Sequence, residues 1–106
     1  MKLGIVVYAS DEETVSNAFR LGIFSLKQGD STSVFLLAKG VTSESLHTEQ
    51  FPIQTQMQTF VDAGGIIMAC TTCLKLRQSE GTDLCPLSTI QDLYEMIRDS
   101  DKVVSF

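Results

Sequence analysis

Four short apolar runs punctuate the chain, and stretches of helical period lie between them. The runs are Leu3-Gly4-Ile5-Val6-Val7-Tyr8, Ser33-Val34-Phe35-Leu36-Leu37-Ala38, Ile66-Ile67-Met68-Ala69 and the closing Lys102-Val103-Val104-Ser105-Phe106. The first three are continuous rather than alternating, as suits strands buried on both faces of a parallel sheet. Ser10-Asp11-Glu12-Glu13 matches a capping box with Ser10 at the cap. Behind it Val15, Ala18, Phe19, Gly22, Ile23 and Leu26 make one helical face, until Gln28-Gly29-Asp30 stops the helix. Pro52 opens a second helix in which Ile53, Met57, Phe60 and Val61 share a face, and Gly64-Gly65 closes it. Ser88-Thr89-Ile90-Gln91 reads as another capping box, and its helix sets Ile90, Leu93, Tyr94 and Ile97 on one face. This alternation predicts a three-layer α/β/α fold. Its sheet is mostly parallel, with four or five strands (the fifth near Cys85) and helices on both faces.

A chain of 106 residues is long enough for one hydrophobic core, so residues 1–106 are expected to form a single domain. Eight basic residues against thirteen acidic ones give a net charge of −5, which argues against a nucleic-acid partner. The longest apolar runs fall far short of a membrane span. Met1-Lys2-Leu3-Gly4 leads into a short strand-like run rather than a signal peptide's apolar segment, so the expected location is the cytoplasm. Three cysteines, an odd number, do not suit a fully paired secreted framework.

Several chemistries are excluded by what the motifs lack. Tyr8-Ala9-Ser10-Asp11, after the first strand, carries neither a G-x-G-x-x-G fingerprint nor a Walker lysine. No serine nucleophile elbow occurs, and there is one histidine. The cysteines remain. Cys70 ends the third apolar run and Cys73 follows in a short helix with Lys75 and Arg77. A helix N-terminus favours a thiolate through its free N–H groups and dipole, and Lys75 and Arg77 add to that if they point back. Cys70-x-x-Cys73 admits four readings: a packed structural pair, a zinc site completed by Cys85 and His47, a dithiol redox site, or a sulfur-transfer thiol. The polar stretch Thr42–Gln50 reads as a loop or short helix at the same sheet edge. His47 within it is a candidate acid or base only if that stretch folds over Cys70. Cys85 beside Pro86 reads as core, and Leu21 with Phe24, outside the buried stripe of their helix, hint at a subunit contact.

The run IIMACTTCLKLR, together with LYEMIRDSDKVVSF at the end, resembles the DsrE/DsrF-like family of sulfur-relay proteins, which includes the TusD-type subunits. In that family a cysteine at a strand end is followed some seven residues on by an arginine, and an aspartate-led strand finishing in Phe closes the chain. Cys70 with Arg77, and Asp101 to Phe106, stand at the matching places. The resemblance implies a DsrE-like α/β domain that carries sulfur as a persulfide on Cys70, with Cys73 supporting or resolving it. It also implies partner contacts through Lys75, Arg77 and, more remotely, His47. No cofactor and no metal are expected. The implied partners are sulfur donor and acceptor proteins and further copies of the chain, as a trimer or hexamer, without direct contact to nucleic acid or membrane. This chain departs from the TusD-type pattern in its second cysteine and in having a single arginine where two adjacent ones precede a glycine. Two alternatives stay open: a dithiol or sulfide-releasing enzyme using Cys70 and Cys73, and a regulatory or scaffolding subunit.

Overall fold

The computed structural model describes residues 1–106. In chain order it contains β1 (Lys2–Val7), α1 (Glu12–Lys27), β2 (Ser31–Leu36), a 3₁₀ segment (Ala38–Leu46), α2 (Ile53–Asp62), β3 (Ile66–Cys70), α3 (Thr71–Leu76), β4 (Leu87–Ser88), α4 (Ile90–Asp99) and β5 (Lys102–Ser105). The five strands form one sheet in the order β4-β3-β2-β1-β5, and every pair is parallel. The chain therefore steps outward from β1 to β4, and α4 carries it back across the sheet to β5 on the far side of β1.

Consecutive residues of a strand face opposite sides of the sheet. Ile5 of β1 reaches Gly22 of α1, whereas a Cβ at Gly4 would meet Ser100 and Met96 at the end of α4. α1 and α4 thus cover opposite faces. α2 packs beside α1, with the rings of Phe19 and Phe60 edge to face at 5.8 Å. Between these layers Ile5, Val7, Val34, Phe35, Leu36, Ile53 and Met57 are wholly buried. β5 is held to β1 at its start by Asp101, whose carboxylate accepts the Lys2 N–H at 2.7 Å while its own N–H donates to the Lys2 carbonyl at 2.8 Å.

The expected three-layer architecture is what forms, but several local expectations shift. The α1 cap is Asp11 rather than Ser10: its carboxylate accepts the Thr14 N–H at 3.0 Å, and Glu12 and Glu13 sit in the first turn, where the dipole favours them. The α4 box is Thr89 with Asp92, not Ser88 with Gln91, because Ser88 is already paired with Cys70 in the sheet. β2 starts two residues early, at Ser31, and stops at Leu36. Its polar opening is accommodated because the Thr32 hydroxyl bonds that of Ser25. The fifth strand is only Leu87–Ser88, just past Cys85. Of the stretch 42–50, read as a loop or short helix, residues 42–46 belong to the 3₁₀ segment that begins at Ala38, and the polar side chains explain the missing period. Thr42 and Ser43 each donate back to the carbonyl three residues earlier, at 2.8 and 2.6 Å. α4 differs most. Leu93 and Met96 are its buried residues, while Ile90, Tyr94 and Ile97 are 70%, 63% and 47% exposed. Met96 occupies the side facing β1, where Gly4 leaves it room.

Gly22 supports a sharp test of this packing. An exposed mid-helix Gly→Ala change stabilises by about 0.5–1 kcal/mol, but overpacking a core costs about 1–3 kcal/mol. A Cβ at Gly22 would lie 2.8 Å from the wholly buried Phe60 ring, so overpacking dominates. Gly22→Ala should lower the urea midpoint in the wild-type background and raise it, or leave it unmoved, in a Phe60→Leu background.

Candidate functional site at the end of β3

β3 passes into α3 with no intervening loop. Cys70, the last strand residue, has extended backbone (φ −60°, ψ 115°), and its sulfur accepts the Cys73 N–H at 3.4 Å. It therefore stands where Ser or Asp usually caps a helix. Its neighbours fix it: β2 pairs with β3 as far as Ala69, β4 places Ser88 opposite Cys70, and the Thr71 hydroxyl donates to the Ser88 carbonyl at 2.9 Å. This is the carboxyl edge of the sheet, where open α/β folds place their sites. The position is nevertheless two strands from the β1–β5 boundary at which the strand order reverses.

The three thiols are free and differ in environment. Cys70 is 7% exposed, and Cys73 is more open. Burial, then the neighbouring Cys70 sulfur, pushes the Cys73 thiol up; the Ala38 N–H and the Arg77 guanidinium pull it down without prevailing. Cys85 is pushed up to about 12 by burial and, secondarily, by the charge of Glu44. It is a packing residue with no thiolate at neutral pH.

The flanking residues separate. Arg77 stays beside the pair, and its guanidinium donates to the Cys73 carbonyl at 3.0 Å. Lys75 lines an open, polar groove of about 790 Å³ with Thr71 and the loop before β4. His47 is tied to α2 instead: its Nδ1 accepts the Gln54 N–H at 3.0 Å, supplying an acceptor that the Pro52 side chain at the cap cannot. No group of three His, Cys, Asp or Glu side chains converges as a metal would require, so Cys85 and His47 do not complete a site with the cysteine pair.

The structure adds a main-chain group to this set. The N–H of Ala38, from the turn after β2, donates to the Cys73 sulfur at 3.2 Å. Ala38 has φ +51°, a conformation that costs an L-residue about 1–2 kcal/mol. The turn is locked by Leu37 N–H to the Val7 carbonyl at 2.8 Å and by Gly40 N–H to the Leu37 carbonyl at 2.9 Å. A Cβ at Gly40 would collide with the Val7 carbonyl, so the turn closes only with glycine there. Sequence reasoning misses Ala38 because its contribution is an amide common to every residue but proline. The only signal is Gly40, a glycine just past the strand.

The fold and site are those of an open, fully parallel α/β protein with a thiol at the carboxyl end of an inner strand. The match of the DsrE/DsrF-like family model to residues 1–106 makes the assignment specific: the chain belongs to that family. It is 25% identical over 114 aligned residues to the uncharacterized protein MJ0989 of Methanocaldococcus jannaschii, covering all of both chains. It is also 25% identical over 101 residues to the uncharacterized protein MK0008 of Methanopyrus kandleri, covering 90% of this chain and 84% of that one. The crystal structure of the YchN protein from E. coli superposes with a TM-score of 0.89 at 23% identity, covering 100% of this chain and 99% of that one, a likeness of fold.

Cys85 has a checkable pH signature. Its thiol ionises near 9 when unfolded but near 12 when folded, so between those values the unfolded state has released the proton and the folded state has not. Stability from this group is complete below pH 9 and declines toward pH 12. The urea midpoint of wild type should fall across that window more steeply than that of Cys85→Ala, with the two slopes equal below it.

Proposed function

We propose that the protein carries sulfur as a persulfide on Cys70 and passes it between protein partners. One observation bears most of this reading: in a family associated with sulfur relay, a cysteine ends β3 with its backbone paired to Ser88 of β4 and its sulfur accepting the Cys73 main-chain N–H. The Cys70 thiolate would attack the outer sulfur of a donor persulfide, expelling the donor as a thiolate and leaving Cys70–S–SH; an acceptor thiolate then takes the outer sulfur by the same displacement. The burial of Cys70 is compatible with this. Loading extends the reactive atom by one S–S bond, about 2.0 Å, beyond the Cys70 sulfur. Arg77 and Lys75 supply positive charge on the helix that follows, suited to steering anionic partners.

A second reading, a dithiol exchange within the pair, is favoured by Cys73, whose sulfur lies beside that of Cys70. We also infer that the chain works as a homo-oligomer, a trimer or hexamer by family resemblance. Two exposed apolar surfaces are available: Phe24 with Leu21 on α1, 61% and 38% exposed, and Ile90, Tyr94 and Ile97 on α4.

Intact mass spectrometry after exposure to a persulfide donor should show a gain of about 32 Da, one sulfur atom, that is absent from Cys70→Ser. A gain that survives in Cys70→Ser would remove Cys70 as the carrier. For assembly, light scattering on an Ile90→Lys, Tyr94→Lys double variant should give a smaller particle than wild type, with an unchanged far-ultraviolet CD spectrum. An unchanged particle size would exclude the α4 surface.

A further inference from the structure

The turn at Leu37–Gly40 is more constrained than chain reversal requires. Three observations meet there: a non-glycine residue at φ +51°, a glycine without room for a side chain, and an N–H aimed at a sulfur 3.2 Å away. Alanine has no local preference for positive φ, so the surroundings impose it. The Ala38 N–H lies in the Leu37–Ala38 peptide plane, which the Leu37 N–H bond to the Val7 carbonyl anchors, and the positive φ turns the chain after it toward Gly40. A neutral thiol gains little from such a donor, whereas a thiolate gains a charge-assisted hydrogen bond. The arrangement is therefore suited to a Cys73 that is negatively charged at some step. Arg77, next to Cys73, favours the same state; burial and the Cys70 sulfur oppose it.

We propose that the Ala38 main-chain N–H is a positioning group that stabilises the Cys73 thiolate as it forms, so that Cys73 displaces hydrosulfide from the Cys70 persulfide and closes a Cys70–Cys73 disulfide. This rests on the reading of Cys70 as the sulfur-bearing residue and deepens it, because it gives sulfur that meets no acceptor a second outlet. In the step, the Cys73 thiolate attacks the Cys70 sulfur. The Cys70–Cys73 bond forms as the bond to the outer sulfur breaks. The outer sulfur leaves as HS⁻, keeping its proton and taking the bonding pair. The two cysteine sulfurs end oxidised to a disulfide, and the transferred sulfur is reduced to sulfide. A dithiol reductant then returns the pair to its starting state. In the reverse direction hydrosulfide opens the disulfide, and the same N–H receives the departing Cys73 thiolate.

The test replaces Ala38 by lactate, its α-hydroxy counterpart, which makes the Leu37–Ala38 link an ester and removes this one N–H. Ala38→Gly keeps the N–H and relieves the strained φ; Cys73→Ser removes the proposed attacking group. Each protein is loaded with inorganic polysulfide. Sulfide release and intact mass are followed, and the pH profile of Cys73 alkylation is measured separately on the unloaded protein. Wild type and Ala38→Gly should release one sulfide per loaded chain and lose two hydrogens relative to the dithiol, while Cys73→Ser retains the added sulfur. The ester protein should load equally, release sulfide about tenfold more slowly, and alkylate Cys73 with its midpoint moved to higher pH. An ester protein with wild-type release and alkylation overturns the proposal, as does a persulfide equally long-lived in wild type and Cys73→Ser. Failure of wild-type Cys70 to take up sulfur would instead remove the sulfur-carrying reading. The alkylation profile, which needs no persulfide, would then decide whether Ala38 stabilises the Cys73 thiolate.

Discussion

The site depends on how main-chain groups are satisfied at the carboxyl edge of a parallel sheet. Where a strand stops, its last carbonyl and amide groups lose the regular ladder and must find partners in whatever follows a neighbouring strand. Here the Val7 carbonyl takes the Leu37 N–H, the Val6 carbonyl takes the Phe106 N–H, and the Ala69 N–H reaches the Pro86 carbonyl. The first two stitch the end of β1 to the exits of β2 and β5, and the third ties the end of β3 to the entry of β4. Together they set the turn after β2 against β1 and the loop before β4 against β3. Cys70 and Cys73 lie among these exits, and their geometry follows from backbone hydrogen bonding more than from side-chain packing.

The layers on either side are unequal. α1 and α2 join around Phe19 and Phe60 and bury one face of the sheet, whereas α4 alone crosses the other. A single helix has two edges to fill and too few side chains to fill both. Its Leu93 and Met96 go inward and its other apolar residues face out. The same asymmetry follows from topology: three strands are added in one direction before a single return to β5.

Much of this was legible in the residues. Continuous apolar runs located the strands, and the α1 and α2 stripes identified the helix faces that are buried. The strand-to-helix passage at Cys70 was visible because Ile66–Ala69 leads straight into a cysteine-bearing helical segment. The errors have local physical causes. Ser10 and Asp11, like Ser88 and Thr89, are adjacent residues that can each cap a helix, and spacing alone does not choose between them. α4 offers two stripes at helical spacing, and the deciding feature, a glycine on β1 opposite Met96, lies more than ninety residues away in sequence. His47 looked available because its partner, the Gln54 amide, has no side-chain signature. Ala38 was invisible for the same reason.

β4 is only two residues long, so β3 has a full ladder on the β2 side and almost none on the other. β1, by contrast, is paired on both sides. Local opening is governed by how many contacts must break at once. Amides along the outer side of β3 accordingly belong to a less protected unit than those of β1, and hydrogen exchange should reach them at a lower free-energy cost than global unfolding. The cysteine is thus mounted on the part of the sheet that can loosen while the central strand and the α1–α2 layer stay intact. Local breathing of this kind can expose a buried thiol without a hinge or a lid.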